Sequence, residues 1–487
     1  VVGVACPHPD PGDGITVAAG VAKRFARKPP ITNDVQMADL GEFVAKWLRE
    51  NLRPLDADAD LSQQHWLDNT NYPLWRKTEL QTVWSEFNKD FREVTRSEDR
   101  NHNCFVKSFM KDESYPTYKH ARAINSRTDA FKCRVGPIFK LIEKELFKLD
   151  WFIKYVPVRE RMNVVLDQLQ QEGSNIASTD HESFEAHFTR QVMEKIEFQL
   201  YEYMTVYLPD KEWYQLVVDV LGGRNHCVFR DFTVDIDATR MSGEMCTSLG
   251  NSFANLMVML FILNRLGAQS IRGKVEGDDG LFTWYGPLPT PKDFNDVGFT
   301  IKMEFHSSLS HASFCGLLAD EYERNIITDP ILEMLDFGWT TQRYAHARPE
   351  KIKALLRCKS LSLAFQYPGC PILQSLAAYG LRMSVGVNNC TVNRVLSRMN
   401  NYEKDMMQRS VDYYREFGFK FQIPGIQTRL MVECLYGICV TDQIRIENLL
   451  DNKSDLAPIN LGFIDFLPDC VDYYERFSAD VDYTDNH

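Results

Sequence analysis

The chain has 487 residues, 44% hydrophobic and 25% charged, ordinary values for a folded globular protein with a large core in roughly two to four structural units. Its net charge of -12 argues against indiscriminate coating of nucleic acid, because phosphate binding relies on Lys and Arg. The 12 cysteines form no CxxC pair and no regular framework, so they suggest neither zinc nor a disulfide scaffold and predict a reduced, intracellular setting.

Val1 in place of Met, with no signal-peptide pattern after it, predicts a processed product or a cut piece of a longer chain. The opening VVGVACPHPDPGDG is rich in Pro and Gly and reads as irregular, followed by the basic AKRFARKPP (Ala22 to Pro30), and is expected to drape over another part of the molecule. Helical spacing dominates from Met37 to Phe91, as in FVAKWLRENL. Between Phe105 and Lys148 lie ten Lys or Arg against five Asp or Glu, a basic island able to guide phosphates; LIEKELFKL within it reads as an amphipathic helix. SNIASTD (Ser174 to Asp180) is strand-like, RQVMEKIEFQLYEYM helical, and EWYQLVVDVLGG a helix ending at Gly222 and Gly223, where left-handed backbone is easy. CTSLGNSFANLMVMLFIL reads as a long buried helix whose apolar run is too short to span a bilayer, so no transmembrane helix is expected. KVEGDDGLFTW is a strand, a turn and a strand. This order predicts an α+β core with an antiparallel sheet. Beyond about Asp329 the patterns are mainly helical, and the tail SADVDYTDNH is acidic and expected to be mobile.

Four segments carry chemistry. Asp278 and Asp279 stand side by side between two glycines, where like charges raise each other's pKa unless a cation intervenes; a plain turn accounts for them equally well. In STDHESFEAHF, Asp180 ends the strand-like segment and Glu185 follows five residues on; Thr179 with Glu182 fits a capping box and Asp180 a helix start, a reading that can coexist with Asp180 as a metal ligand beside the aspartate hairpin. In RMSGEMCTSLGNSFAN, Ser242 and Gly243 make a small loop, and Thr247 and Asn251 lie one turn apart on the next helix; capping by Ser242 or Thr247 and packing by Gly250 are the bland alternatives. In FVKSFMKDESYPTYKHARAINSR, Lys107, Lys111, Lys119, Arg122 and Arg127 are interleaved with Phe109, Tyr115 and Tyr118. That composition suits phosphates and stacked bases, although a charge run is often only a solvated face.

In this order, MKDE with KHARAI, STDHESFE, MSGEMCTSLGN, VEGDDGLF, GFTIKME and HASFCG resemble the signature motifs of viral RNA-dependent RNA polymerases, over roughly Phe105 to Gly316. The wording RMSGEMCTSLGN is most similar to the tombusvirus-like group of positive-strand RNA viruses. The resemblance implies a right-hand α+β architecture with fingers, a palm of antiparallel sheet plus helices, and a mainly helical thumb. The corresponding boundaries are 1–173 for the N-terminal extension and fingers, 174–192 for the first palm segment, 193–235 for a fingers return, 236–330 for the palm, and 331–487 for the thumb and tail.

The resemblance further implies RNA-templated RNA synthesis by two-metal nucleotidyl transfer, replicating and transcribing a viral genome. Asp180, Asp278 and Asp279 are the implied ligands of Mg2+, with Mn2+ as an alternative. Lys111, Lys119 and Arg122 would neutralise the incoming triphosphate, and Glu185, Ser242, Gly243, Thr247 and Asn251 would hold the nucleotide and its ribose. Lys107 and Arg127 would contact RNA. Lys302 is a candidate proton donor to pyrophosphate, or equally a solvated surface lysine. The family usually has Asp where Glu185 stands, so the sugar contact, or a shifted main chain, is an open point. The implied partners are template and nascent RNA, NTPs and other viral replication proteins, in host cytoplasm at membrane-associated replication complexes reached through segments or partners beyond this chain. Homo-oligomerisation is left open.

Two other readings stand beside this one. A reverse transcriptase-like palm polymerase would lack the Ser-Gly, Thr, Asn pattern of residues 242 to 251. A catalytically inactive RNA-binding replication scaffold would not need the complete acidic set. An NTP-driven helicase is disfavoured because no GxxxxGK[ST] loop occurs.

Overall fold

The computed structural model describes residues 8–87, 104–338, 344 and 347–462, apart from 112, 114, 116, 182, 398, 400 and 458. Glu182 of the expected capping box and the acidic tail from Ser478 lie outside the described residues. Among the described residues ten strands are interspersed with helices: β1 (Phe105–Met110), β2 (Ala123–Arg127), β3 (Asn175–His181), β4 (Arg224–Val228), β5 (Thr233–Asp237), β6 (Gln269–Glu276), β7 (Asp279–Tyr285), β8 (Ile301–Phe305), β9 (Leu318–Ala319) and β10 (Ile326–Ile327). The mixed helix and sheet content agrees with the α+β expectation.

The central sheet has the order β6-β7-β3-β8, with every pairing antiparallel. Residues alternate between the two faces of a strand, and here each face has its own core. Ala177 of β3 with Phe282 and Trp284 of β7 join the larger core, built on the Asp34–Asn51, Asp129–Leu146 and Thr247–Arg265 helices. Ile176 and Leu281 point the other way, into a second core shared with the Val158–Leu169 helix and helices of the C-terminal third. Cover on both faces explains why β7 reads as a nearly unbroken apolar run.

The Thr247–Arg265 helix is long and apolar enough to cross a membrane by length and composition, but 83% of that window is buried inside the protein. It is the central helix of the larger core, with every residue from Leu249 to Leu263 buried. Helix Glu212–Leu221 stops at Gly222 as expected, although Gly222 has φ -88 and the left-handed form is not used.

A second sheet, β2-β1-β4-β5, lies earlier in the chain. The burial of β1 alternates strictly, leaving Phe105, Lys107 and Phe109 exposed. Val106 and Met110 point inward and pack with Val17, Val21 and Phe25, so the N-terminal segment forms helical turns seated on this sheet. The C-terminal third is helical, from Pro349–Gln366 through Val440–Asn452.

Candidate active site

Strand register brings together acids that lie about a hundred residues apart. The last pair between β3 and β7 is Thr179 with Gly280; one step further stand Asp180 and Asp279. On the other side of β3, Asp180 pairs with Lys302. Strand alternation puts Asp180, Asp279 and Lys302 on the face that carries Ile176 and Leu281. Asp180 is therefore a strand residue and not a helix cap. Thr179 is buried in the ladder with its hydroxyl donating to Gly280 O at 3.3 Å, and the following Arg190–Lys195 helix is capped by Thr189 instead.

Glu276 pairs with Asp279, which leaves Gly277 and Asp278 as a two-residue hairpin turn. Gly277 has φ +64, the left-handed first position that favours glycine. Two polar residues of the largely apolar Thr247–Arg265 helix hold this turn. Gly277 N donates to Ser252 Oγ at 2.8 Å, and Asn255 Nδ2 donates to Gly277 O at 3.2 Å and to Asp278 O at 2.9 Å. Asn255 Oδ1 lies 3.4 Å from Nε2 of His181, whose pKa burial lowers to about 3, so the ring is neutral.

Both hairpin acids are raised. Asp278 keeps accessible surface, yet surrounding protein dehydrates it enough to raise its pKa, and the charges of Glu185 and Asp180 add to this while Arg122 opposes it. Such a combination belongs to the floor of a cleft. Asp279 is pushed up to about 6, first by burial and then by Asp278 and Asp180, against a hydrogen bond from the Cys315 thiol. Among the described residues, no three His, Cys, Asp or Glu side chains close on a common ion. The donor chemistry nevertheless fits hard divalent cations, since carboxylates that repel one another around a cleft are the set such ions prefer.

The loop before the Thr247–Arg265 helix faces these acids. Ser242 Oγ donates to Glu185 Oε1 at 3.0 Å. Gly243 has φ +120, and a Cβ there would lie 2.8 Å from Asn125 O of β2, so glycine lets the loop abut the second sheet. Thr247 Oγ1 accepts from Gly243 N at 3.3 Å and lies 3.4 Å from Met241 O, which ties down the loop as a cap does. Asn251 is buried and its Oδ1 accepts from Arg240 Nε at 3.0 Å. Arg240 is itself fully buried, paired with Glu197 at 2.5 Å and with Glu244 at 3.7 Å, and stacked over Phe188. Gly250 is a packing contact as well: a Cβ there would collide with Arg240 and Glu197.

The basic segment divides. Lys107, Lys111 and Lys119 are exposed. Arg122 and Lys111 both bind Glu113, at 2.5 Å and 3.0 Å. Burial would raise the Glu113 carboxyl, but its bonds and charge interactions with Arg122 and Lys111 hold it at about 2. Arg127 corrects the RNA-contact expectation: it points into the protein, 3% exposed, with Nη2 donating to Asn225 and an ion pair to Glu244 at 2.7 Å. A guanidinium enclosed in that way cannot reach a backbone phosphate. Lys302 is exposed and paired with Glu304 at 2.5 Å.

Glu113, Arg240, Ser252, Asn255 and Cys315 were not singled out in the sequence. Asn251 and Asn255 stand one helical turn apart on an apolar helix, a spacing that could have pointed to Asn255. The others act through partners that only the fold supplies.

Residues 157–385 match the model of the viral RNA-dependent RNA polymerase family. That span holds Asp180, Glu185, residues 242 to 251, both hairpin aspartates and Lys302, but not the basic segment before it. The RNA-directed RNA polymerase of Striped jack nervous necrosis virus is 27% identical over 252 residues, 48% of this chain and 24% of that protein. The Atlantic halibut nervous necrosis virus enzyme is 27% identical over 219 residues and the Greasy grouper one 28% over 227, each covering 43% of this chain and 22% of the relative. The matches thus span about a quarter of the length of these relatives.

Proposed function

We propose that this chain catalyses RNA-templated RNA synthesis in replication of a viral genome. The observation that carries the reading is the register that sets Asp180 beside Asp279 at the tip of a hairpin clamped by the helix following the Ser242 loop. The family match over residues 157–385 and the similarity to three polymerases support it.

In this reading the central sheet is the palm, the second sheet with the N-terminal segment belongs to the fingers, and the C-terminal helices are the thumb. Asp180, Asp278 and Asp279 would hold Mg2+ or Mn2+, which when bound neutralises charge on the reacting phosphates. Phosphoryl transfer asks the protein mainly for positioning and charge. Arg122 and Lys111, pre-set on Glu113, and the exposed Lys119 meet the triphosphate. Glu185, held by Ser242, and Asn251, held by Arg240, face the ribose. Lys302, on the same face as Asp180, would give a proton to pyrophosphate. Template pairing chooses the base. Membrane-associated replication sites in host cytoplasm and other viral replication proteins belong to the same proposal. The tombusvirus-like grouping rests on the wording of residues 240 to 251 alone, and the named relatives come from nervous necrosis viruses.

The test is Asp278→Asn in an extension assay with RNA template, NTPs and Mg2+ or Mn2+. Incorporation should vanish while the unfolding transition is kept; unchanged incorporation would remove the aspartate from the mechanism. Replacing the RNA template with DNA in the same assay separates the reverse transcriptase-like reading. Wild-type protein that binds RNA without extending it would favour the scaffold.

A further inference from the structure

The N-terminal segment places a cation at the candidate nucleotide site. Val21–Phe25 is a single π turn, with Ala26 N donating to Val21 O at 2.9 Å. Single π turns are frequent at functional sites because the wider turn re-aims the side chains it carries. Val21 and Phe25 are buried against Val106, Met110 and Met241, which pins the turn at both ends on the second sheet. Gly20 comes close enough that an added Cβ would lie 2.8 Å from Ala121 O, the residue before Arg122. The turn also packs against Phe184–His187, which carries Glu185.

Arg24 lies between the two anchors. It borders the same narrow crevice as Arg122, Glu185 and Ser242. Arg122, Glu185 and Ser242 each have a partner within the protein: Glu113 for Arg122, and Ser242 and Glu185 for one another. Arg24 makes no hydrogen bond or ion pair with any described residue. A half-buried guanidinium carries five donors and no acceptor, and a planar phosphate-binding fork is its usual employment. We propose that Arg24 binds the phosphates of the incoming nucleoside triphosphate, as a second guanidinium beside Arg122. It lies outside the span that matches the family model, which begins at residue 157. The proposal rests on the polymerase reading for the name of its ligand, but the meeting of Arg24 and Arg122 at one crevice stands without it.

The test pairs steady-state incorporation with equilibrium binding of NTP to the whole chain, followed by intrinsic fluorescence. Arg24→Ala is expected to raise the KM for NTP about tenfold, consistent with loss of a charge-assisted contact, with kcat within about twofold and RNA affinity unchanged. Arg24→Lys should recover part of the loss, and Lys23→Ala, which removes the exposed neighbouring charge, should leave KM unchanged. NTP binding should weaken in parallel with the rise in KM. An unaltered KM and NTP affinity in Arg24→Ala would overturn the proposal, as would weakened RNA binding with NTP affinity retained, because the contact would then be to RNA. If wild-type protein failed to extend RNA yet lost NTP binding on Arg24→Ala, the polymerase reading would fall and the phosphate contact would stand.

Discussion

Asn255 donates from one amide nitrogen to the carbonyls of Gly277 and Asp278, so the helix behind the sheet holds the main chain of the acidic turn. Backbone carbonyls bonded in this way set where the Asp278 carboxylate points. Asn255→Leu would remove both bonds and is expected to cost about 1–3 kcal/mol in unfolding free energy. Incorporation should fall at least about tenfold at a temperature where the variant remains folded, since positioning is what the chemistry demands. Thermal unfolding with single-turnover extension checks both; lost stability with full activity would reduce the clamp to a structural tie.

Asp279 makes stability depend on pH. Its folded pKa of about 6 lies above the unfolded value, so between roughly pH 4 and 6 the native state binds more protons than the unfolded state. Without divalent cations, stability from this group is therefore greatest at or below about pH 4 and falls as pH rises through about 6. In the proposed function Mg2+ would require the ionised carboxylates and should reverse the loss. Added Mg2+ is expected to raise Tm at pH 7.5 and much less at pH 5, with the gain abolished in Asp279→Asn. An equal gain at both pH values would break the link between these carboxylates and the cation.

Lys107 and Arg127 occupy the same basic run with opposite consequences. Arg127→Ala leaves Glu244 buried without this partner and should cost about 3–5 kcal/mol. Lys107→Ala should leave Tm unchanged and lower the slope of log RNA affinity against log salt by about 1, as loss of one phosphate contact does. Unfolding curves and a salt titration of RNA binding distinguish the two, and a salt-slope change in Arg127→Ala that persists under folded conditions would contradict its burial.

Arg240 occupies Oδ1 of Asn251, which leaves the amide nitrogen as the donor that the proposed ribose contact would use. Asn251→Asp keeps an acceptor for Arg240 but removes that donor. The preference for NTP over 2′-deoxy-NTP, as a ratio of kcat/KM values, is expected to drop about tenfold or more in Asn251→Asp. Glu244→Gln, which weakens the same buried network without touching Asn251, should leave the ratio as it is.

Lys302→Leu separates the two readings of that residue. A proton donor would show kcat reduced about a hundredfold with a changed alkaline limb of the pH–rate profile. A surface lysine paired with Glu304 would show neither, because an exposed pair contributes little.

Local pattern made much of this protein legible from its letters. The apolar and β-branched residues flanking the turn in KVEGDDGLFTW, with a glycine suited to a left-handed turn, sufficed for the β6–β7 hairpin, because turn chemistry is a property of adjacent residues. The apolar spacing of Phe253 to Leu263 likewise sufficed for a buried helix. The order of the motifs carried the functional expectation, and the family match covers the part of it that lies within residues 157–385.

Other features depended on contacts between distant parts of the chain. Whether Asp180 caps a helix or ends its reach beside Asp279 depends on the register of β3 against β7, which no local rule sets. Lys107 and Arg127 look alike in a charge run, yet one lies on the solvent face of its sheet and the other on the face that Glu244 closes. Arg24 belongs to a basic stretch whose place in the fold was not legible, and only the anchoring of Val21 and Phe25 carries it to Arg122 and Glu185. Secondary structure follows from neighbours in sequence, whereas burial, ion pairing and the meeting of acids follow from which faces pack together.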